Sequence, residues 1–243
     1  MGAAICGLAK ATIGELVMQV SAIEGHRVWA PIYESGLNPV RALERRTVQN
    51  LLKPSLPGTV IDVACGTGQQ LLDFQSVGSE VFGCDACQEM LNEATKAPSL
   101  RGRVSLADAE CLPFACSIAD LVLCSLSLGY FQNINRVFAE FARTAKPYGL
   151  IAVSDLHPDA LASGWTRSFR LGTQVYEIEH YRRTLEEVKR AASGAGLSRK
   201  LCQDIYFGPA ESQIFQSAGK PESWETVQQT PALFIGLWEK PAC

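Results

Sequence analysis

The chain has 243 residues, of which 47% are hydrophobic, 19% charged and 8% aromatic, and its formal net charge is −3 at pH 7. This composition is typical of a globular protein with a sizeable core, and it argues against disordered or low-complexity classes and against a nucleic-acid partner, which would select a basic surface. Nine scattered cysteines favour a reducing cytoplasmic location over a secreted disulfide framework, and we expect no membrane-spanning segment.

Two helices are predicted before the first strand of the main sheet. Apolar residues at helical spacing predict the first over residues 8–24. Asn38 followed by Pro39 predicts the start of the second, and Pro54 its end. We therefore expect residues 1–54 to form a helical N-terminal cap.

Strands then alternate with helices along the chain. Strands are predicted at residues 59–64, 80–84, 103–106, 119–125 and 150–154. Helices are predicted around residues 71–74, 88–96 and 133–145. Such alternation is typical of βαβ units, so residues 55–155 are predicted to form a doubly wound, mostly parallel α/β sheet.

The remaining chain completes a single predicted domain over residues 1–243. Residues 156–183 are too long for a tight connection, and we interpret them as a substrate-side insert over the carboxyl edge of the sheet. Residues 184–243 begin with the capping-box pattern Thr184-Leu-Glu-Glu187, which predicts a helix to about Ala195. Two strands, at 200–207 and 232–239, are expected to pair antiparallel, with no helix in the polar stretch between them.

The strongest chemical signal is a strand that ends in glycines and opens a helix, Asp62-Val-Ala-Cys-Gly-Thr-Gly68. Asp85 ends the next strand, where an acid can bind ribose hydroxyls, so a nucleoside ligand is indicated. The sequence does not match the G-x-G-x-x-G motif of dinucleotide-binding proteins, because Ala64 and Leu71 occupy positions where that motif has glycine. Asp62 would repel a pyrophosphate and attract an ammonium or sulfonium group.

These residues resemble motif I of the class I S-adenosylmethionine (SAM)-dependent methyltransferases. Later family motifs are resembled, in the correct order, at residues 83–91, 107–114, 119–126 and 146–151. The small-molecule enzymes that methylate ubiquinone and menaquinone carbons, and the malonyl-carrier-protein O-methyltransferases, share this pattern. Ala64 replaces the family's first glycine, and Tyr148 replaces a glycine before Gly149. The resemblance implies a Rossmann-like, seven-stranded methyltransferase fold whose last strand is antiparallel.

The resemblance also implies SAM as the cofactor and S-adenosylhomocysteine as its product. The motif I residues would hold the methionine part, Asp85 the ribose, and residues 108–110 the adenine. The implied cofactor-binding residues are Asp62, Ala64, Cys65, Gly66, Gly68, Asp85, Ala86, Met90, Asp108, Ala109, Glu110, Cys124 and Ser125.

The acceptor of the methyl group is expected beyond the carboxyl ends of the strands. His157, which follows the fifth strand, is the candidate general base, and its alternative is a structural histidine that fixes the loop. Tyr130 and Tyr33 are further candidate catalytic residues, and Tyr33 is expected to bind the SAM carboxylate or cover the site. His26 is expected to face solvent. No metal site is predicted, because the Cys84-x-x-Cys87 pair lacks a second pair at suitable spacing.

The favoured function is methyl transfer to a small-molecule acceptor. One alternative is carboxyl O-methylation of a carrier-protein-bound acyl chain, for which the insert offers a basic patch of Arg167, Arg170, Arg182 and Arg183. A second is an NAD-type oxidoreductase, and a third is a non-catalytic SAM-binding scaffold. The expected partner is the acceptor itself, free or carrier-bound.

Overall fold

The computed structural model of the protein describes residues 16–52, 58–218 and 221–242. The strands are β1 (Val17–Val20), β2 (Thr59–Val63), β3 (Glu80–Asp85), β4 (Val104–Leu106), β5 (Ala119–Ser125), β6 (Ala145–Leu156), β7 (Ser168–Leu171), β8 (Gln174–Ile178), β9 (Ser198–Ile205) and β10 (Leu233–Glu239). The helices are α1 (Ala22–Trp29), α2 (Pro39–Leu52), α3 (Gln69–Ser76), α4 (Gln88–Ala94), α5 (Ile134–Thr144), α6 (Pro158–Ala162), α7 (Leu185–Gly194), α8 (Pro209–Ser217) and α9 (Pro221–Val227).

The main sheet has seven strands in the order β4-β3-β2-β5-β6-β10-β9. Strands β2 to β6 pair in parallel, and β10 runs antiparallel to both β6 and β9. The predicted doubly wound, seven-stranded α/β fold is therefore confirmed, as is the antiparallel pairing of the last two strands. The chain continues from β2 to β3 on one side and later returns to β5 on the other, so the carboxyl end of β2 lies at a topological switch point.

Helices cover both faces of this sheet. On one face, Phe138 and Phe141 of α5 pack with Trp238 of β10 in a core cluster that also includes β5 residues. On the other face, Leu71 of α3 packs with Leu121 of β5. Because the middle of β5 is buried on both faces, residues 121–124 form a continuous apolar run with no polar alternation.

Local capping signals fix the starts of two predicted helices. The Asn38 side chain accepts a hydrogen bond from Arg41 N (3.1 Å) at the start of α2. Thr184 Oγ1 accepts from Glu187 N (3.2 Å), and the Glu187 carboxylate accepts from Thr184 N (2.7 Å). This is the predicted capping box of α7. Pro54, the predicted stop of α2, lies outside the described residues.

The prediction of a helix over residues 8–24 is wrong for residues 17–20. Residues 8–15 lie outside the described ranges, and Val17–Val20 form β1, so helix α1 begins only at Ala22. Strand β1 pairs in parallel with β8. The apolar spacing of such a short segment suits either a helix or a strand. Local periodicity also cannot reveal the pairing with β8, because β8 lies far along the chain.

The insert at residues 156–183 holds α6 and the hairpin of β7 and β8, which joins β1 in a separate three-stranded sheet of order β1-β8-β7. The sequence-based expectation that no helix lies between the last two strands is wrong, because α8 and α9 lie there. Pro209 occupies the first turn of α8, and the Glu211 carboxylate accepts from Gly208 N (2.8 Å). This Pro-x-Glu signal was present in the sequence. In the described ranges, no helix is long and apolar enough to cross a membrane.

Candidate active site at the carboxyl end of the sheet

A cavity of about 410 Å³ opens at the switch point. Its floor comes from the residues that follow β2, β3 and β5, and its cover comes from α1, α2 and the residues just before β7. The predicted site residues among its lining are Tyr33, Asp62, Ala64, Cys65, Gly66, Asp85, Ala86, Met90, Ala109, Ser125 and Tyr130. Open α/β sheets bind their ligands in this crevice beyond the strand ends.

Asp62 is a buried carboxylate in the floor of the cavity. Its residue is 2% exposed, and its Oδ1 atom has no hydrogen-bond partner. Burial raises its pKa well above the usual range, and the nearby carboxylates of Glu44 and Asp85 raise it further. A buried carboxylate with one unpartnered oxygen in this position is suited to a ligand that carries a cationic or hydrogen-bond-donating group.

Glu44 is a functional candidate that the sequence interpretation missed. It lies on α2 beside the apolar stripe, lines the cavity and is 4% exposed. Its carboxylate accepts hydrogen bonds from Ser154 Oγ and Gln70 Nε2, both at 2.8 Å. Burial raises its pKa, and these donors oppose that rise. A charged residue next to the core stripe of a helix was the signal that could have found it.

Asp85 ties the glycine loop to the end of β3. Its Oδ2 accepts a hydrogen bond from Gly66 N and its Oδ1 accepts one from Cys87 N, both at 2.8 Å. Burial raises the pKa of Asp85 against these two hydrogen bonds, which lower it. Each oxygen keeps a further lone pair, so the carboxylate can also accept from a ligand hydroxyl group.

The loop itself requires left-handed backbone at several positions. Ala64, Gly66 and Gly68 have φ of 60°, 54° and 77°. A Cβ atom at Gly68 would also lie only 2.5 Å from Leu100 Cδ1. Gly68 therefore shapes the loop and begins α3, whereas Ala64 adopts a conformation that an L side chain disfavours.

Four of the predicted cofactor-binding residues do not line the cavity: Gly68, Asp108, Glu110 and Cys124. Asp108 Oδ1 accepts from Glu110 N (2.8 Å), and the Glu110 carboxylate accepts from Asn133 N and pairs with Arg136. Cys124 is buried in the core of the sheet. The geometry gives these side chains roles in shaping the adjoining loops and the core.

His157 also lies outside the cavity lining. Its Nδ1 accepts a hydrogen bond from Asp159 N (3.1 Å) and so caps α6, and its Nε2 lies 3.3 Å from Asp204 Oδ1. The residue is 4% exposed. The geometry therefore does not support His157 as a general base and matches the structural alternative, because its ring is engaged in holding the loop after β6.

An aromatic wall closes the side of the cavity opposite the strand ends. The Trp29 ring lies 4.6 Å from that of Tyr33 and stacks on Phe169 at 4.8 Å. The expectation that His26 faces solvent is wrong, because His26 lines the cavity with its ring 4.9 Å from Tyr130. Burial lowers the pKa of His26.

Arg167, which was expected in a surface patch, lines the cavity. It is 7% exposed and pairs with the buried Asp155 carboxylate. Its NH1 donates to Leu126 O (2.8 Å), and its guanidinium lies over the Tyr130 ring at 4.7 Å. Arg183 donates to Phe131 O. The prediction of a surface patch that includes Arg167 is therefore wrong, because this guanidinium faces the cavity and the core.

No cluster of His, Cys, Asp or Glu that could hold a metal ion occurs in the described ranges. Cys84 and Cys87 are both free and buried. Burial raises the pKa of Cys84 to about 12, which keeps this thiol protonated and unreactive near neutral pH.

Comparisons with known proteins agree with this architecture. The sequence profile of a family described as "Methyltransferase domain" matches residues 61–153. The malonyl-acyl-carrier-protein O-methyltransferase of Methylovorus sp. is 31% identical over 143 residues, which cover 54% of this chain and 48% of that protein. The chain thus spans about half the length of this curated relative, and the match to a second, bifunctional relative covers 27% of it.

Solved structures share the fold. An S-adenosylmethionine-dependent methyltransferase from Mesorhizobium loti superposes with a TM-score of 0.63 at 21% identity, covering 81% of this chain and 97% of that one. A geranyl diphosphate methyltransferase, solved with GPP and sinefungin, gives 0.60 at 14% identity and covers 82% and 77%. At these identities the likeness shows the fold. The domain match covers residues 61–153, from β2 to β6, so this part of the chain is similar in sequence to a methyltransferase domain.

Proposed function

We propose that this protein transfers the methyl group of SAM to a small-molecule acceptor bound in the same cavity. The observation that carries the proposal is Asp62, a buried carboxylate with an unpartnered oxygen at the topological switch point. Glu44 and Asp85 add two further carboxylates to the cavity lining. This acidic site suits a ligand that bears both an ammonium and a sulfonium group.

The residues present fit the parts of SAM. Asp62 and Glu44 would attract its cationic amino-acid end, and the N–H groups of the loop at 64–68 would face its carboxylate. Asp85 would accept from the ribose hydroxyls, and Met90 and Ala109 would contact the adenine. When bound, SAM supplies an electrophilic methyl carbon.

The protein's own contribution is then positioning and the exclusion of water. Helix α1 and the aromatic wall of Trp29 and Tyr33 cover the cavity, so an acceptor seated there is held close to the strand ends. Methyl transfer by displacement needs little covalent assistance from the protein. Holding the two reactants in one orientation therefore removes a large part of its activation free energy.

The acidic lining disfavours the oxidoreductase alternative. The pyrophosphate of a dinucleotide would meet the carboxylates of Asp62 and Asp85, which line the same crevice. Like charges at short distance in a buried site cost several kcal/mol, about 4 kcal/mol at 4 Å for an effective dielectric constant of 20.

Carboxyl O-methylation of a carrier-bound acyl chain is a second candidate. Two observations favour it: the Arg167 guanidinium in the cavity lining, which could orient a carboxylate, and the curated relatives named as malonyl-acyl-carrier-protein O-methyltransferases. Methyl-ester formation on a malonyl-carrier protein, compared with a free dicarboxylate, would separate this candidate from small-molecule methylation.

Calorimetric titration tests the proposal. SAM and S-adenosylhomocysteine should bind the wild type, and NADH should not. Asp85→Ala should weaken both adenosyl ligands at least about tenfold, since the ribose would lose its acceptor and Gly66 N its partner. Asp120→Asn is the matched control, because Asp120 lies outside the cavity lining. A folded wild type that binds NADH and neither adenosyl ligand would overturn the proposal.

A further inference from the structure

We propose that His26 takes the proton of an acceptor that bears an acidic hydroxyl group on an unsaturated carbon, as in a phenol or an enol. The acceptor oxygen is then anionic when it is methylated. This inference rests on the proposed function and deepens it, because it names the class of acceptor and the group that activates it.

The hydrogen bonding of His26 leaves one ring nitrogen available to act as a base. Nδ1 lies 2.7 Å from Ala22 O, one turn earlier in α1. Because a carbonyl oxygen only accepts, Nδ1 must carry the hydrogen, and the neutral ring then has its lone pair on Nε2. No hydrogen bond occupies Nε2 among the described residues.

Packing holds this ring in the cavity wall. The His26 ring meets the Tyr130 ring edge-on at 4.9 Å and stacks on Trp29 at 6.1 Å. Helix α1 also packs against α4, which follows β3. His26 and Asp85 both line the cavity, so the imidazole lies in the same cavity as the predicted cofactor-binding residues.

The charges around His26 suit a base that works on a neutral acid. Burial is the larger effect and lowers its pKa, so the ring is neutral at neutral pH. Asp85 opposes this effect, and Arg167 adds to it. Glu24 and Arg27, on the same helix, pair with each other at 2.7 Å. On the α4 side, burial raises the pKa of the Cys87 thiol, so it stays uncharged.

Arg167 provides the complementary charge for the product of this proton transfer. Its guanidinium lines the cavity and lies over the Tyr130 ring, the ring that also contacts His26. A positive group in a buried wall stabilises an anionic oxygen that forms beside it. A cavity with an unprotonated imidazole and a guanidinium is therefore suited to hold an oxygen acid as its anion.

The proton step balances within the site. The acceptor O–H bond breaks, its electron pair stays on oxygen, and the hydrogen binds the Nε2 lone pair. The imidazolium returns this proton to solvent after the product leaves. A carboxylic acid is already ionised near pH 7 and needs no such base, so this arrangement favours a phenol or enol over a carboxyl acceptor.

The test uses 4-nitrophenol as the probe, because its phenolate absorbs visible light and its neutral form does not. The probe is titrated with pH in the presence of the protein and saturating S-adenosylhomocysteine. In the wild type, the bound probe should ionise about one pH unit below the free probe, which corresponds to about a tenfold gain in phenolate. His26→Gln and His26→Asn should lose most of this shift.

His180→Gln is the matched control, because His180 is a part-buried histidine outside the cavity lining. It should keep the full shift. Nitrogen-15 NMR of the wild-type imidazoles gives a second readout that needs no variant, and His26 should show hydrogen on Nδ1 and a lone pair on Nε2.

The outcomes separate this inference from the proposed function. Adenosyl-ligand binding with no probe binding, with a probe bound as neutral phenol, or with an unchanged shift in both folded His26 variants would overturn the role of His26 and leave methyl transfer standing. An Nε2-protonated His26 would overturn it as well. Failure to bind S-adenosylhomocysteine at all would count against the proposed function itself.

Discussion

At some positions of this protein, the residue that suits ligand binding lowers the stability of the fold. Asp62 is the clearest case, because its buried carboxylate has an oxygen with no hydrogen-bond partner. Folding disfavours the ionised form of such a group, so its presence costs stability in the absence of a ligand. The same property makes the site selective for a cationic ligand. A buried residue that lowers the stability of the fold and lines a cavity is best explained by a role in ligand binding.

Asp62→Asn should therefore stabilise the ligand-free protein and weaken SAM binding. Because the folded-state pKa is raised, stability is fully present below the unfolded value, about 3.9, and is lost as pH rises towards the folded value. The variant should gain about 1–3 kcal/mol at pH 7, and this gain should vanish near pH 4. Urea unfolding at several pH values measures it.

The control for this prediction is the same Asp-to-Asn substitution at Asp120, a carboxylate whose pKa is shifted in the opposite direction. Asp120 accepts hydrogen bonds from Lys146 Nζ (2.9 Å) and Thr59 N (2.8 Å), which lower its pKa. Asp120→Asn should therefore lower stability at pH 7 and leave SAM binding unchanged. A loss of stability in both variants would contradict the account of Asp62.

The two departures from the glycine pattern of the methyltransferases that this sequence resembles have a common structural consequence. Ala64 and Tyr148, which replace family glycines, have φ of 60° and 64°. Tyr148→Gly should raise the free energy of unfolding by about 0.5–1 kcal/mol, because the left-handed strain of an L residue exceeds the entropy that glycine costs. Tyr148 is exposed, so little packing is lost.

Tyr148→Ala separates strain from the loss of the ring. Alanine keeps the Cβ atom, so it should give none of this gain. Ala64→Gly should change stability in the same direction as Tyr148→Gly and retain SAM binding. Equal unfolding midpoints for Tyr148→Gly and Tyr148→Ala would show that backbone strain at this turn does not exceed the entropy cost of glycine.

At the scale of elements, helices that carry their own capping signals are the predictable ones. Helix α7 begins at a complete capping box, and its start was predicted from sequence. Helix α8 also had a signal, in Pro209 and Glu211, but its apolar residues alone were too few to indicate a buried face. Glu211 is 1% exposed and bonds to Arg46 of α2, and Phe215 packs against Phe207. These contacts hold α8 in place.

Thr184→Ala should cost about 1 kcal/mol of stability, because Glu187 N would lose its acceptor at the start of α7. Thr184→Ser keeps the hydroxyl group and should lose much less. Thermal or urea unfolding of the three proteins provides the measurement. Equal losses in the alanine and serine variants would show that the methyl group, and not the cap, is responsible.

At the scale of the whole molecule, one buried ion pair joins the two sheets. Asp155 belongs to β6 of the main sheet, and Arg167 lies directly before β7 of the small sheet. Asp155 also accepts from Gly129 N (2.8 Å) and Leu156 N (2.7 Å). The pair therefore fixes the small sheet, and with it the cover of the cavity, over the carboxyl ends of the strands.

Removing one partner of this pair should be worse than removing both. Asp155→Asn and Arg167→Met should each cost about 3–5 kcal/mol, because each leaves a buried charge uncompensated. The double variant should cost less than either single variant, because it leaves neither charge buried without its partner. A double-mutant cycle by chemical unfolding measures the coupling. Additive losses would show that the two groups act independently.

The sequence by itself determined the main sheet, the glycine loop and the acids at the carboxyl ends of β2 and β3. These features depend on local spacing: alternating apolar segments, the loop from Asp62 to Gly68, and Asp85 at a strand end. Only the tertiary structure decided the rest. It brought His26, Glu44 and Arg167 into the cavity and left His157 outside it. The reason is that burial and charge at a residue depend on neighbours far along the chain, which periodicity does not encode.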